Sequence, residues 1–415
     1  MPVEVVNFGC RLNSYEGEVI KHQAESAGLD NVIIFNSCAV TAEAERQVRQ
    51  SIRRARKVHP GAKIIVTGCG AQIHPQHYAE MDEVDKIIGN EEKLKPEGYR
   101  FITQDNEKIL VNDIMSVKET ASHMVAAFEG RARAFVQVQN GCNHRCTFCV
   151  IPFGRGNSRS VPIGDVVVQM RMLVEQGYNE VVLTGVDISD YGSDLPGKPT
   201  LGQMIRRVLA LVPELKRLRL SSIDAVEVDE DLYRLIAEEP RLMPHLHVSL
   251  QAGDDMILKR MKRRHLRQDA LNFCDKVRNL RSDVVFGADI IAGFPTETEA
   301  MFQNTLRLVQ DAGLIYLHVF PYSARAGTPA AKMPQVAKEI RKERAARLRA
   351  LGAKQLAEYL ATQVGKTAQV VVEKERLGRS EHFSMVDLGG DCQPGSVREV
   401  RITGAESDRL LAAAA

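Results

Sequence analysis

Short apolar runs alternate with helix-like segments along the first hundred residues of the chain. Four runs rich in Val or Ile predict buried parallel strands: 3–7, 32–36, 63–67 and 85–89. We expect one helix over 15–27, capped by Asn13 and Ser14, and a second helix that begins after Thr41. The pattern predicts an α/β unit with a doubly wound parallel sheet, followed by an irregular connector at 100–130.

A second α/β pattern begins near residue 134. Six apolar runs predict strands at 134–139, 180–184, 217–221, 245–250, 284–292 and 318–320. Helical segments lie between these runs, for example at 164–176, 229–238 and 299–312. Six successive βα units predict a parallel, partial (β/α)6 barrel.

The pattern changes again towards the end of the chain. Residues 338–360 predict one long basic helix, and three later segments alternate as β-strands: 367–372, 383–388 and 396–402. We expect a small C-terminal β-barrel-like domain of about 40 residues that lacks a full set of strands. The predicted domains span 1–120, 128–360 and 365–410.

Composition narrows the class of protein. With 415 residues, 44% hydrophobic and 26% charged, the chain is neither disordered, collagen-like nor a small disulfide scaffold. Lys and Arg number 55 against 53 acidic residues, so the net charge of +2 points to neither nucleic acid nor membrane. The chain begins without a secretory pattern and has no membrane-length apolar run, which predicts a cytoplasmic protein. Because disulfides are rare in that compartment, the eight cysteines need another role.

Three of these cysteines each follow one strand of the first unit. Cys10, Cys38 and Cys69 recur at about the length of a βα unit. The loops after parallel strands lie on one edge of the sheet, and helix N-termini favour thiolates. Each cysteine alone would be a small buried residue in a turn. Their repeated placement predicts a shared metal site instead.

Three further cysteines lie in one loop directly after the strand at 134–139. Cys142, Cys146 and Cys149 form a C-x3-C-x2-C pattern. Three thiolates can hold three irons of a cubane cluster and leave the fourth iron open to a substrate or cofactor. A Cys3His zinc site that includes His144 is the alternative.

With Phe148 before its last cysteine, this loop resembles that of the radical S-adenosylmethionine (SAM) enzymes. Together with the upstream cysteines and the C-terminal β unit, the chain resembles the methylthiotransferases of that superfamily. Four segments carry the resemblance: 7–13, 36–41, 67–69 and 141–156. It implies that Cys142, Cys146 and Cys149 hold a 4Fe-4S cluster that binds SAM, and that Cys10, Cys38 and Cys69 hold an auxiliary 4Fe-4S cluster.

The resemblance also implies a reaction and a pocket. SAM cleavage would supply a radical that removes an aromatic hydrogen, because no side chain abstracts so strongly. Sulfur on the auxiliary cluster would accept the substrate radical, and a second SAM would provide the methyl group. No side chain is assigned as a catalytic residue. The implied SAM-binding residues are Phe148, Gly185, Ser222, Gln251 and Gly293.

RNA is the expected substrate class. Basic runs at 256–268 and 338–354 accompany the β unit, which resembles a small RNA-binding barrel; the alternative is a barrel that only packs on the enzyme. The segments 8–13 and 36–41 best resemble the branch that modifies N6-threonylcarbamoyladenosine next to the anticodon. The implied partners are the tRNA anticodon stem-loop and a flavodoxin-like electron donor, and we expect a monomer.

Other functions stay open at this point. The substrate could instead be N6-isopentenyladenosine in tRNA or a ribosomal-protein aspartate. The chain could also be a radical SAM enzyme of other chemistry, or a non-enzymatic RNA-binding protein stabilised by metal. Two residues outside the motifs carry predictions of their own: Asp289 in an apolar strand needs a hydrogen-bonding partner, and Cys274 is a core residue.

Overall fold

The computed structural model describes residues 2–104, 106–118 and 130–413. The first unit is a five-stranded parallel sheet in the order β1-β2-β3-β4-β5. Helices cover both faces: α1 and α5 pack on one face, α2 and α4 on the other. Its elements are β1 Glu4–Asn7, α1 Arg11–Ser26, β2 Val32–Ser37, α2 Ala42–Val58, β3 Lys63–Gly68, α3 Cys69–Ile73, α4 Pro75–Ala79, β4 Lys86–Ile88, α5 Pro96–Gln104 and β5 Ile109–Leu110.

Two predictions for this unit are wrong. Asn13 and Ser14 do not cap a helix, because α1 already begins at Arg11 after Gly9 turns the chain with φ +95°. The Asn13 side chain instead donates to the carbonyls of Phe8 and Ser37. The start of the expected connector is ordered as α5 and β5, while 119–129 lie outside the described residues. Thr41 caps α2 as predicted, accepting a hydrogen bond from the backbone of Ala44.

The middle unit is the predicted parallel barrel of six βα units. One ladder has the order β6-β9-β10 and the other β11-β12-β13-β14; β10 leads into β11 across Ser221. Among the described residues β6 and β14 do not pair, so the barrel is partial. Its elements are β6 Ala134–Gln137, β7 Gln139–Asn140, α6 Ile151–Arg155, β8 Arg159–Ser160, α7 Ile163–Glu175, β9 Glu180–Thr184, α8 Leu201–Leu211, β10 Arg217–Leu220, β11 Ser222–Ile223, α9 Glu230–Glu238, β12 His245–Gln251, α10 Asp255–Met261, α11 Arg267–Leu280, β13 Val285–Ala292, α12 Glu299–Asp311, β14 Leu314–Pro321 and α13 Lys338–Ala361.

The first unit docks on the barrel through α1. Leu12, Tyr15 and Val19 on one side of this helix belong to the buried core of the barrel, whereas Ile20 and Ala24 belong to the core of the first sheet. A helix shared by two apolar cores fixes the position of both units. Cys10, at the amino end of α1, is therefore held in a defined place relative to the barrel.

The C-terminal unit is a closed five-stranded barrel in the order β15-β16-β17-β19-β18 around Val370, Val372, Val386 and Val400. The expectation of an incomplete strand set is wrong, because two short strands were missed. β16 and β19 are four and three residues long, too short for an alternating pattern to be recognised. The strands are β15 Thr367–Lys374, β16 Leu377–Ser380, β17 Met385–Asp387, β18 Val397–Ala405 and β19 Leu410–Ala412.

The predicted domain limits at 120 and 128 lie outside the described residues, so those limits stay predictions. Within the described part of the chain, no helix is both long enough and apolar enough to cross a membrane.

Candidate active site

The first group of cysteines, Cys10, Cys38 and Cys69, is called the sheet trio below. Cys10 precedes α1, Cys38 follows β2, and Cys69 is the first residue of α3. Gly9 packs so closely on Cys38 that a Cβ atom there would lie 2.8 Å from the Cys38 sulfur. Burial, and then the neighbouring Cys69 and Cys10, raise the pKa of Cys38 to about 12. The sheet edge thus brings the three thiols together, with Cys38 and Cys69 buried and Cys10 exposed.

The second group, Cys142, Cys146 and Cys149, is called the loop trio. Backbone N–H groups of His144 and Ile151 each lie 3.4 Å from a sulfur, of Cys142 and Cys149 respectively. Burial raises the pKa of Cys149 to about 12 and also raises the pKa of Cys142. A half-buried thiol cluster of this kind fits a metal group, because coordination deprotonates thiols that desolvation otherwise keeps neutral.

The spacing of the sulfurs favours a cluster over a single ion. In neither trio do all three sulfurs lie within 4.8 Å of one another, among the described residues, whereas Cys142, His144 and Asp187 do bring one ligand atom each within that distance. Nor does His144 complete a Cys3His zinc site: its Nε2 atom lies 2.9 Å from Asp187 and 3.7 Å from Glu227. These carboxylates raise the pKa of His144 to about 10. The three sulfurs of each trio are therefore spaced for a group larger than one ion, while Cys142 with His144 and Asp187 forms a closer ligand set.

The segment that follows the loop trio packs directly on the sheet trio. In α6, five residues after Cys149, Gly154 packs on Cys69 so tightly that a Cβ atom there would lie 3.2 Å from the Cys69 Cβ. Val150 shares a small buried cluster with Cys69 and Ala39. The Asn90 amide lies 3.7 Å from the Cys69 sulfur and also donates to the Gly154 carbonyl. The two trios consequently border one region, at the carboxyl ends of both sets of strands.

A buried ion-pair network locks this contact. Arg155 reaches from the end of α6 to Glu16 of α1, with N–O distances of 2.8 and 2.9 Å. The Lys93 ammonium lies 2.7 Å from the same carboxylate. Burial opposes ionisation of Glu16, but the charges of Arg155 and Lys93 lower its pKa to about 2. Arg155 also interacts electrostatically with Cys69 and Cys10, so it supplies positive charge beside the sheet trio.

The five residues expected to bind SAM lie along the same ends of the barrel strands. Gly185 follows β9, Ser222 begins β11, and Gln251 ends β12 with φ +70°. Phe148 meets Phe294 edge-on with a centroid distance of 6.4 Å. Gly293 makes a turn with φ +72° and donates its N–H to Glu297 at 2.9 Å. These positions share one end of the barrel, and they also serve the turns themselves.

Three adjacent barrel strands bring together one carboxylate and two histidines, of which the sequence indicated only Asp289. Asp289 has the expected partners: its Oδ1 atom lies 3.0 Å from His247 Nε2 and 3.2 Å from His318 Nδ1. Burial opposes ionisation of Asp289, but these histidines hold its pKa far below the usual range. The histidines are 71 residues apart in sequence, so only the strand register brings them together.

Comparison with known proteins agrees with this geometry. Residues 136–309 match the model of the radical SAM superfamily, and 2–89 match an uncharacterized protein family, UPF0004. The threonylcarbamoyladenosine tRNA methylthiotransferase MtaB of Rickettsia prowazekii is 58% identical, over 97% of this chain and 95% of that protein. A tRNA-2-methylthio-N(6)-dimethylallyladenosine synthase of Erythrobacter litoralis is 32% identical, over 98% and 95%.

Solved structures support the fold. The radical SAM methyltransferase TsrM of Kitasatospora setae superposes with a TM-score of 0.55 at 16% identity, covering 77% of this chain and 67% of that one. At that identity the likeness concerns the architecture. Full-length identity, by contrast, settles the family. The chain belongs to the methylthiotransferase family of radical SAM enzymes, in the branch of the threonylcarbamoyladenosine tRNA methylthiotransferases.

Proposed function

We propose that this protein transfers a methylthio group to C2 of N6-threonylcarbamoyladenosine beside the anticodon of tRNA, using SAM and two 4Fe-4S clusters. The observation that carries the proposal is the contact of Gly154 and Val150 with Cys69, which sets the loop trio against the sheet trio. Cys142, Cys146 and Cys149 would hold the cluster that binds SAM. Cys10, Cys38 and Cys69 would hold the auxiliary cluster.

The reaction replaces an aromatic C–H bond by a C–S bond. When bound by the loop trio, the cluster with SAM would supply a radical strong enough to remove such a hydrogen, which no amino-acid side chain can do. The residues of this chain have a different task. They hold two reactants in one space, so that a bimolecular transfer becomes an intramolecular one.

Three features of the site support this task. Val150 and Phe294 are buried, and apolar walls keep water away from reactive groups. Arg155 places positive charge beside thiols that must be deprotonated to bind iron. Cys10 is the exposed member of the sheet trio, so the auxiliary site is open on one side.

The structure limits which basic residues are available to RNA. In the run at 256–268, Arg264 and Arg267 pair with Glu227 and Asp311, and Arg263 with Asp224. In α13, Arg344 and Arg347 bind acidic groups of the barrel. These arginines therefore hold helices in position through ion pairs. The two basic runs are weaker support for RNA binding than the sequence alone indicated. Lys259, Lys262, Lys338, Lys342 and Lys354 remain exposed.

The substrate subtype rests on the relatives. The relative that shares 58% identity is named for threonylcarbamoyladenosine, whereas the one at 32% is named for dimethylallyladenosine. We further propose a cytoplasmic monomer that receives electrons from a flavodoxin-like donor. Oxygen-sensitive clusters and a tRNA substrate are both suited to a reducing compartment.

Mass spectrometry of tRNA nucleosides tests the proposal. A strain that lacks this gene should lose 2-methylthio-N6-threonylcarbamoyladenosine and accumulate the unmethylthiolated nucleoside, and the wild-type gene should restore it. A gene with Cys69→Ala should not restore it. Loss of a methylthio-isopentenyl species instead would assign the other tRNA substrate. Unchanged tRNA would exclude both tRNA substrates.

A further inference from the structure

Arginines from all three units of the fold surround the ring of Phe383, which lies between β16 and β17. Arg11 comes from α1, Arg133 precedes β6, and Arg219 and Arg379 lie on β10 and β16. Their guanidinium carbons lie 5.6, 5.3, 5.1 and 4.5 Å from the ring centre, in that order. Arg217, also on β10, extends this group, which is called the arginine cluster below.

The cluster carries more positive than negative charge. Glu180 lies 3.7, 2.8 and 3.0 Å from Arg133, Arg217 and Arg219. Glu373 pairs with Arg133 and lies 3.6 Å from Arg379. Glu381 adds a third negative charge near Arg217, so three carboxylates face five guanidinium groups in the described part of the chain.

Arg11 is the member without a partner. Among the described residues it has neither an ion pair nor a side-chain hydrogen bond, although it is only partly exposed. Its guanidinium is a permanent cation, because arginine is not deprotonated in proteins at neutral pH. A sheltered guanidinium with five unused N–H donors fits an anionic acceptor that is absent from the chain itself.

The position of Arg11 relates this acceptor to the reaction. Its backbone adjoins Cys10 of the sheet trio. Its guanidinium is nevertheless not the charge beside the thiols, a role that Arg155 fills. It reaches instead to Phe383, whose ring stacks on His245 at 4.8 Å. His245 is two residues from His247 on β12, so the arginine cluster adjoins the polar interior of the barrel.

We propose that Arg11, supported by the arginine cluster, binds the carboxylate of the threonylcarbamoyl group and so selects the modified adenosine. The inference rests on the proposed function. Arg–carboxylate pairs are strong and often bidentate, which gives selectivity as well as affinity. The carboxylate and the reacting C2 belong to the same modified base. Arg11 and Cys10 are likewise adjacent in the sequence. A backbone phosphate offers the same anionic oxygens, and the experiment separates these two sources.

Binding of three anticodon stem-loops to the anaerobically reconstituted protein tests the inference. They carry adenosine, N6-threonylcarbamoyladenosine, or the latter with its carboxylate converted to a neutral methyl amide. Fluorescence anisotropy gives the affinities. The wild type should bind the carboxylate RNA at least tenfold more tightly than the other two, a difference of about 1.4 kcal/mol. Arg11→Met should abolish this preference, and Arg11→Lys should keep part of it.

Arg234→Met is the matched control, because Arg234 is an exposed arginine on the outer helix α9 and its loss changes the net charge equally. It should leave the preference intact. Equal weakening of all three RNAs by Arg11→Met would assign the anion to a phosphate and overturn the proposal, as would a preference that survives Arg11→Met. Should Arg11→Met fail to fold, the amide RNA on wild-type protein decides alone: equal affinity for amide and carboxylate overturns the proposal.

The proposed function fails by a different result. A wild-type enzyme that methylthiolates the isopentenyladenosine stem-loop but not the threonylcarbamoyladenosine stem-loop would refute that function. If the wild type methylthiolates the threonylcarbamoyladenosine stem-loop but its binding preference does not depend on Arg11, only this inference is refuted.

Discussion

The two cysteine trios reach the same region of the molecule by different routes. The loop trio lies within eight residues, 142–149, and two of its sulfurs, of Cys142 and Cys149, accept from local backbone N–H groups. The sheet trio spans 60 residues, 10–69, and its sulfurs meet only because β1, β2 and β3 pair in register. A local motif can be recognised from its spacing alone. A distributed site depends on the fold. Loss of the sheet trio should therefore have effects that can be distinguished from loss of the loop trio.

The largest effect is expected when one cysteine of either trio is replaced. Cys149→Ala should abolish both SAM cleavage and methylthiolation, because the loop trio would bind SAM. Cys69→Ala should abolish methylthiolation but keep SAM cleavage under strong reductant. Each variant should fall from about eight to about four irons per chain. Liquid chromatography of 5′-deoxyadenosine and an iron assay measure both quantities.

Cys274→Ala is the control for these variants, since Cys274 is buried in α11 and lies in the barrel core, as predicted. It should keep the full iron content. Equal loss of SAM cleavage in Cys69→Ala and Cys149→Ala would contradict separate roles for the two trios.

The next effect concerns the buried ion pair between Arg155 and Glu16. Arg155→Met removes one partner of a fully buried pair and leaves the Glu16 carboxylate with Lys93 alone. Such a change costs roughly 3–5 kcal/mol of unfolding free energy. Urea denaturation under anaerobic conditions measures it. Arg347→Met, which removes an exposed pair with Glu299, should cost less than about 1 kcal/mol. Similar values for the two variants would show that the buried network does not hold the units together.

A smaller effect is expected from a substitution at the contact between α6 and Cys69. Gly154→Ala would place a Cβ atom 3.2 Å from both the Cys69 Cβ and the Ile73 Cδ1 atoms, tighter than ordinary contact. Overpacking of this kind costs about 1–3 kcal/mol. We expect methylthiolation to fall more than SAM cleavage, because the strain acts on the sheet trio.

Gly164→Ala is the matched substitution, because Gly164 lies in α7 with no atom within 4 Å of the added Cβ. Alanine there should stabilise the helix by up to about 1 kcal/mol. If Gly154→Ala behaved like Gly164→Ala in both assays, the trios would not be in close contact.

The smallest effect is a dependence on pH. Because the pKa of Glu16 is lowered to about 2, its ionised form stabilises the fold above its usual pKa, and this stability is lost as pH falls towards 2. Between pH 5 and 3.5 the apo protein should lose about 1 kcal/mol through this group. Glu16→Gln should be less stable at pH 6 but show a shallower decline in urea titrations at several pH values. An identical slope would mean that Glu16 is not ionised in the folded protein.

Sequence alone was sufficient where a pattern is local or regular. The C-x3-C-x2-C spacing, the buried strands and the Thr41 cap all depend on neighbouring residues, and the six barrel units follow from repetition. The convergence of Cys10, Cys38 and Cys69 could be predicted because parallel strands share an edge.

The remaining features depend on contacts between distant segments. Asn13 is a typical capping residue, but bonds to Phe8 and Ser37 hold it inside α1. The arginines of α13 suggested RNA, yet tertiary ion pairs with α12 and the loop before it occupy several of them. The pairing of Asp289 with His247 and His318 required the register of β12, β13 and β14. In each case the competing contact has no signal in the local sequence.

The proposal that the two trios hold two clusters in one region is tested most directly by a crystal structure of the anaerobically reconstituted protein with an iron anomalous-difference map. Two iron clusters should appear, one bound by Cys142, Cys146 and Cys149 and the other by Cys10, Cys38 and Cys69, facing the same space. A single iron site, or zinc at either trio, would contradict the account.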